Sequence, residues 1–240
     1  MRRLALIAAA LCACLATSAA GQPTEAPPEL RDGPAPVTGP QRFSAQIAAF
    51  DAVSPVPCPI VLVGSSSARF WRTVSWDLAP LPVINRGFGG SQIADVNYYF
   101  DQTVGRYRPR AILFYAGDND INAHRTADQV VADFQAFMAL KDARLPRGTP
   151  VYFIAIKPSK LRWDQMGEQT AVNDRIKAMA AARDDLIYID VVTPMLENGR
   201  PRDIFVADGL HMTPDGYVIW TAAVKPVLSA GPMRQSCPAR

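Results

Sequence analysis

Five short apolar runs punctuate the middle of the chain, at residues 60–63, 82–84, 111–115, 151–156 and 186–189. Each is nearly continuous in Val, Ile, Leu, Phe and Tyr instead of alternating with polar residues, the pattern of a strand covered on both faces. Longer stretches of helical periodicity lie between and after them. Val130, Val131, Phe134, Phe137 and Met138 form one stripe, and Val172, Ile176 and Met179 form another. Val218, Ile219, Ala222 and Ala223 mark a last helix, which Thr213 and Pro214 open as cap and first-turn proline. Ahead of the first run, Phe43, Ile47 and Phe50 predict one short helix, ended by Pro55, Pro57 and Pro59. No segment repeats. Alternating strands and helices predict an α/β fold, a parallel sheet of about five strands with helices on both faces.

The patterning fails toward the N-terminus. Six prolines between residues 21 and 41 (Pro23, Pro27, Pro28, Pro34, Pro36 and Pro40) deny that stretch both helix and strand, so it reads as an exposed linker. Residues 1–20, MRRLALIAAALCACLATSAA, read as an export signal. Arg2 and Arg3 precede an apolar core too short to span a bilayer, and Ser18-Ala19-Ala20 offers a cleavage site. An alternative uses the same stretch: Leu11-Cys12-Ala13-Cys14 loosely resembles a bacterial lipoprotein box, with Cys14 lipidated. The expected organisation is a signal peptide (1–20), a linker (21–41), a folded domain (42–231) and a tail (232–240). The product is exported to the periplasm or the cell exterior, without stable membrane insertion once the signal is removed. Cleavage after Ala20 leaves only Cys58 and Cys237, and two cysteines in an oxidising compartment are expected to pair.

Composition narrows the class. The 240 residues are 49% hydrophobic and 20% charged, which is globular and not disordered. The formal charge is +3, and removing Arg2 and Arg3 leaves 23 basic residues against 22 acidic. No basic face is concentrated enough for a nucleic-acid partner.

In a parallel α/β sheet, ligands collect at the carboxyl ends of the strands. There the chain places Gly64-Ser65-Ser66-Ser67, then Asn85-Arg86-Gly87-Phe88-Gly89-Gly90-Ser91, then Gly117-Asp118-Asn119-Asp120, then Lys157-Pro158-Ser159-Lys160 and finally Asp208-Gly209-Leu210-His211. There are two histidines. His124 sits in a polar loop and reads as a surface residue. His211 follows Asp208 by three positions, a spacing that lets the carboxylate fix one ring nitrogen and frees the other to accept a proton. A base of this kind implies a serine to activate, and the first loop offers three. Glycine-rich backbone and the Asn119 amide are candidate oxyanion donors. Asp118 and Asp120 lack further residues at metal-ligand spacing, so no metal is expected. The α/β-hydrolase elbow, G-x-S-x-G, is not matched, because Ala68 stands where the second glycine belongs.

The order of these blocks, GSSS, NRGFGG, GDND and DGLH, resembles the SGNH hydrolases, the GDSL-like esterase superfamily, across roughly residues 42–230. The resemblance implies a flavodoxin-like three-layer α/β/α sandwich. It implies Ser66 as nucleophile, Asp208 and His211 as the pair that activates it, and an oxyanion hole from Ser66, Gly90 and Asn119. Many members carry Asp immediately before the serine, where this chain has Ser65; Ser65 and Ser67 read as helix-capping residues. The implied activity is hydrolysis of a small-molecule ester, of short acyl group and including acetyl on carbohydrate, with no cofactor. Lysophospholipid and thioester substrates stay open. Trp71, Trp76, Trp163 and Phe88 are candidates for the pocket mouth, alongside ordinary packing, and Lys157-Pro158-Ser159-Lys160 reads as a solvated loop whose cations are also candidates for drawing in an acidic substrate. Two other readings use the same loops: a flavodoxin-like phosphate- or nucleotide-binding module, and an inactive relative that binds glycan.

Overall fold

The side chains along the five strands alternate between two separate cores, and this alternation defines the architecture. In the computed structural model, which describes residues 39–52 and 58–233, the strands are β1 (Ile60–Gly64), β2 (Val83–Gly87), β3 (Ala111–Tyr115), β4 (Val151–Ile154) and β5 (Leu186–Ile189). They form one sheet in the order β2-β1-β3-β4-β5, with every neighbouring pair parallel. This is the flavodoxin-like order, with β1 and β3 adjacent where the winding reverses.

The helices are α1 (Ser44–Ala48), α2 (Ser66–Phe70), α3 (Val74–Asp77), α4 (Ile93–Tyr98), α5 (Phe100–Thr103), α6 (Asp118–Asn122), α7 (Ala127–Arg144), α8 (Met166–Ala181), α9 (Val192–Met195) and α10 (Pro214–Ala230). A two-residue antiparallel pair, β6 (Leu196–Glu197) with β7 (Arg200–Pro201), lies between α9 and α10. On one face Val61, Val63, Phe114 and Phe153 meet Val130, Phe134 and Phe137 of α7 and Val172 and Ile176 of α8. On the other, Ile60, Leu62, Tyr115 and Ile154 meet Trp71, beyond the end of α2, and Tyr217, Trp220 and Val224 of α10. The first core is centred on Phe114, whose ring packs on Phe134, Phe137 and Phe153. Truncating such a residue to Ala costs about 3–5 kcal/mol. No described helix is long and apolar enough to cross a membrane.

Several expectations are corrected. The second strand starts one residue later than its apolar run and continues through Asn85, Arg86 and Gly87, because β1 extends its pairing to the Gly64–Gly87 register. The fourth stops at Ile154. The last helix exists, but it turns Tyr217, Trp220, Val224 and Leu228 inward and leaves Val218 exposed. The segment 213–230 is apolar on both flanks, so periodicity misassigned its face. Trp71 and Phe88 are fully buried core residues and do not form a pocket mouth. Phe43 and Ile47 are buried as expected, with Phe50 partly buried beside them. The proposed signal and linker up to residue 38, Cys14, Pro55, Pro57 and Cys237 lie outside the described residues, and with Cys237 the expected Cys58 pairing.

Candidate active site

Gly64 sets the position of the first loop. Its φ is +137°, and a Cβ there would lie 1.7 Å from the Tyr115 carbonyl oxygen of β3. Only glycine lets β1 turn this tightly against its neighbour. Ser65 donates its N–H to that same carbonyl at 2.9 Å, and α2 starts at Ser66. As the first residue of a helix, Ser66 has an N–H with no intrahelical partner.

The five-residue α2 is held from two sides, by α10 and by β2. Tyr217 of α10 donates its hydroxyl to the Ser67 carbonyl at 3.0 Å. Asn85 of β2 donates its amide to the carbonyls of Ala68 and Trp71, at 2.7 and 3.2 Å. Gly87 passes so close that a Cβ would lie 2.4 Å from the Arg69 nitrogen. The asparagine and first glycine of NRGFGG therefore fix the serine-bearing helix. Gly90 lies in the turn that follows, exposed and at φ +81°.

His211 reaches this helix from the far end of the chain. Its Nε2 lies 2.9 Å from Ser66 Oγ, and its Nδ1 lies 2.6 Å from Asp208 Oδ2. The other carboxylate oxygen accepts the N–H groups of Leu210 and His211, at 2.8 and 2.9 Å. Burial pushes the Asp208 carboxyl up. The imidazole and the two N–H donors outweigh it and hold the group down at about 2. A carboxylate that stays ionised and accepts at Nδ1 fixes the tautomer whose Nε2 is free to take a proton. The Phe70 ring packs edge-on against the imidazole, centroids 4.9 Å apart. Phe70 also lines a mainly apolar groove of about 670 Å³, with Arg72, Met212, Tyr217, Val218 and Ala222.

Asn119 lies in α6, after β3. Its Nδ2 donates to the Ser91 carbonyl at 3.0 Å, and its Oδ1 accepts from Arg162 Nη2 at 3.0 Å. The flanking aspartates, buried, bind protein groups. Asp120 accepts the Ile93 N–H at the start of α4, and burial, aided by Asp118, pushes its carboxyl up to about 7. Asp118 Oδ2 lies 3.2 Å from Arg162 Nη1, and its Oδ1 accepts the Ser65 hydroxyl at 3.4 Å. Ser65 occupies the cap position of α2 but makes no side-chain cap bond there, so its expected capping role is replaced by a link to Asp118.

The 157–160 loop is corrected most. Lys157 is fully buried, with its Nζ donating to the Leu210 carbonyl at 2.8 Å, inside the Asp208–His211 turn. Burial pushes its ammonium down to about 8, against the pull of Asp118. Ser159 is buried, and Lys160 pairs with Asp203. Leu161 donates its N–H to the Gly209 carbonyl at 2.9 Å. This loop braces the 208–211 turn from beneath and does not present a cationic surface. Sequence reasoning passed over Arg162, and the signal was a third cation, after Lys157 and Lys160, in the segment that follows a buried strand. His124 is exposed, as expected. Trp76 is exposed, and Trp163 is partly covered by the Arg200 guanidinium.

The model of the GDSL-like lipase/acylhydrolase family matches residues 61–219, more than half of the chain and all four blocks. No curated protein is similar enough in sequence to match. Among solved structures, the chain is similar to a GDSL-like lipase from Bacteroides thetaiotaomicron at 22% identity and a TM-score of 0.65, covering 79% of this chain and 97% of that one. A protein from Streptococcus pneumoniae described as a platelet activating factor aligns at 18% identity and a TM-score of 0.67, covering 78% and 92%. An acetylxylan esterase from Geobacillus stearothermophilus aligns at 12% identity and 0.57, covering 70% and 93%. These likenesses show a shared fold.

Proposed function

The chain belongs to the GDSL-like lipase/acylhydrolase family and is a hydrolase of ester bonds; on that premise we propose that it is an exported serine esterase acting on short-acyl carboxylic esters through Ser66, His211 and Asp208. The observation that carries this reading is the chain of contacts from Asp208 Oδ2 through both ring nitrogens of His211 to Ser66 Oγ, at 2.6 and 2.9 Å. Ser66 Oγ attacks the ester carbonyl as His211 Nε2 takes its proton. The N–H groups of Ser66 and Gly90 and the Asn119 amide receive the oxyanion. The imidazolium, steadied by Asp208, protonates the leaving alcohol. His211 then removes a proton from water, and the resulting attack on the acyl-enzyme frees the acid and restores Ser66.

A small acyl group such as acetyl on carbohydrate is the substrate we favour. The acetylxylan esterase among the similar folds supports it, as does the exposed Trp76, since an indole face suits a sugar ring. Export rests on the residue 1–20 pattern, with a lipoprotein anchored at Cys14 as the alternative. A Cys58–Cys237 bridge follows from export, and equal thiol counts before and after reduction of the exported protein would reject it. A phosphate-binding module and an inactive glycan binder leave the aligned His211 and Asp208 without a role.

Hydrolysis of p-nitrophenyl acetate tests the activity. The wild type is expected to turn over, and Ser66→Ala to lose at least about 10⁴ in kcat with an unchanged circular dichroism spectrum. Full turnover by that variant refutes the assignment.

A further inference from the structure

Arg162 occupies the junction between the serine loop and Asn119 and is almost fully buried. One arm of its guanidinium, Nη2, donates to Asn119 Oδ1 at 3.0 Å. The other, Nη1, lies 3.2 Å from Asp118 Oδ2, and the second oxygen of Asp118 accepts the hydroxyl of Ser65, the residue immediately before the proposed nucleophile. Ser65, Asp118, Arg162 and Asn119 thus form one continuous polar chain, buried as far as Arg162 and half-buried at Asn119.

The chemistry of that chain dictates which way the Asn119 amide faces. A guanidinium has five N–H donors and no acceptor. The amide atom 3.0 Å from it must therefore be oxygen, and the atom against the Ser91 carbonyl must be nitrogen. The flipped amide would set N–H against N–H and oxygen against oxygen. With its oxygen held by Arg162 and one N–H by Ser91, Asn119 has a single N–H left to give. We propose that Arg162 is a positioning residue for the oxyanion hole: it locks the Asn119 amide in the orientation that offers this last N–H to the developing oxyanion, and through Asp118 it ties that amide to the loop carrying Ser66. The proposal rests on the reading of Asn119 as an oxyanion donor. It also accounts for Ser65, where many relatives carry Asp: the carboxylate beside the serine loop is here supplied by Asp118.

A double-mutant cycle on p-nitrophenyl acetate tests it, with kcat, KM and thermal midpoint measured for the wild type, Ser66→Ala, Asn119→Ala, Arg162→Met, Arg162→Lys and the Asn119→Ala/Arg162→Met pair. Asn119→Ala is expected to lose about 10²–10³ in kcat. Arg162→Met is expected to lose at least about tenfold in kcat, with KM within about threefold of wild type. The double variant is expected to fall within about threefold of Asn119→Ala alone, because the guanidinium acts only through the amide. Arg162→Lys keeps a charge opposite Asp118 but lacks the planar fork, so it is expected to keep the wild-type midpoint and still lose kcat. It supplies the reading if the methionine variant fails to fold. Wild-type kcat in a folded Arg162 variant, or losses that multiply in the double variant, would overturn the proposal. Full activity in Asn119→Ala would overturn it together with the oxyanion role of Asn119, whereas turnover by Ser66→Ala would refute the nucleophile and leave the cycle interpretable.

Discussion

His211 Nε2 lies 2.9 Å from Ser66 Oγ although 145 positions separate the two residues. Each arrives by its own route. Ser66 opens α2 just past the end of β1, and His211 sits in a turn pinned by Asp208, Lys157 and Leu161. The two routes meet in the contacts that the proposed acid–base relay requires.

In the proposed relay Asp208 is engaged through both oxygens. Asp208→Asn keeps an acceptor for the Leu210 and His211 N–H groups but favours the tautomer with its proton on Nε2. It is expected to lower kcat by roughly 10⁴ while the fold persists. Steady-state kinetics with a thermal melt check this; a loss under tenfold would show that the carboxylate does not set the tautomer.

Lys157 holds the same turn from inside. Lys157→Met removes the donor to the Leu210 carbonyl and leaves that oxygen buried beside an apolar chain. The expected result is a kcat loss of about tenfold or more with little change in KM, together with a lower melting temperature. Unchanged kcat in a folded variant would limit Lys157 to packing.

The glycines separate backbone demand from free space. Gly64→Ala drives a Cβ into the Tyr115 carbonyl at positive φ and is expected to cost more than about 4 kcal/mol, visible as lost soluble yield or a collapsed melting temperature. Gly167, in the first turn of α8, has nothing within 4 Å of an added Cβ. Gly167→Ala is expected to stabilise by about 0.5 kcal/mol.

Burial of Asp120 makes stability depend on pH with a definite sign. Its carboxyl is pushed from 3.8 up to about 7 by burial, with a further push from the nearby Asp118 and Asp133. Between those values the folded protein holds a proton that the unfolded chain has released, so this group lowers stability as pH rises from about 4 to 7. Asp120→Asn keeps an acceptor for Ile93 and removes the titration. Denaturant melts at pH 4, 5.5 and 7 are expected to show the variant gaining on the wild type as pH rises, by on the order of a few kcal/mol overall. A constant difference across that range would contradict the assignment.

The strands and the blocks were legible because continuous apolar runs and polar loops at their carboxyl ends are local features. Ser66, Asn119, Asp208 and His211 follow from those loops and from the block order, and the structure brings three of them into direct contact and orients the fourth. What escaped the sequence depends on depth. The 157–160 loop looks like solvated cations until its position beneath the 208–211 turn is known, and Arg162 carries no motif. The inward face of α10 was misjudged because Val218 and Ala222 are as apolar as Tyr217 and Trp220, so hydropathy alone gave no direction. Trp71 and Phe88 stayed open between pocket and packing because a sequence does not distinguish an aromatic under a loop from one on it.

Covalent trapping of the nucleophile tests the central claim most directly. Treatment with a fluorophosphonate, followed by intact-mass and peptide mapping, is expected to give one phosphonyl adduct on Ser66, with ester hydrolysis lost in proportion to labelling and no adduct in Ser66→Ala. An adduct on Ser65 or Ser67, or full hydrolysis persisting with Ser66 unlabelled, would contradict it.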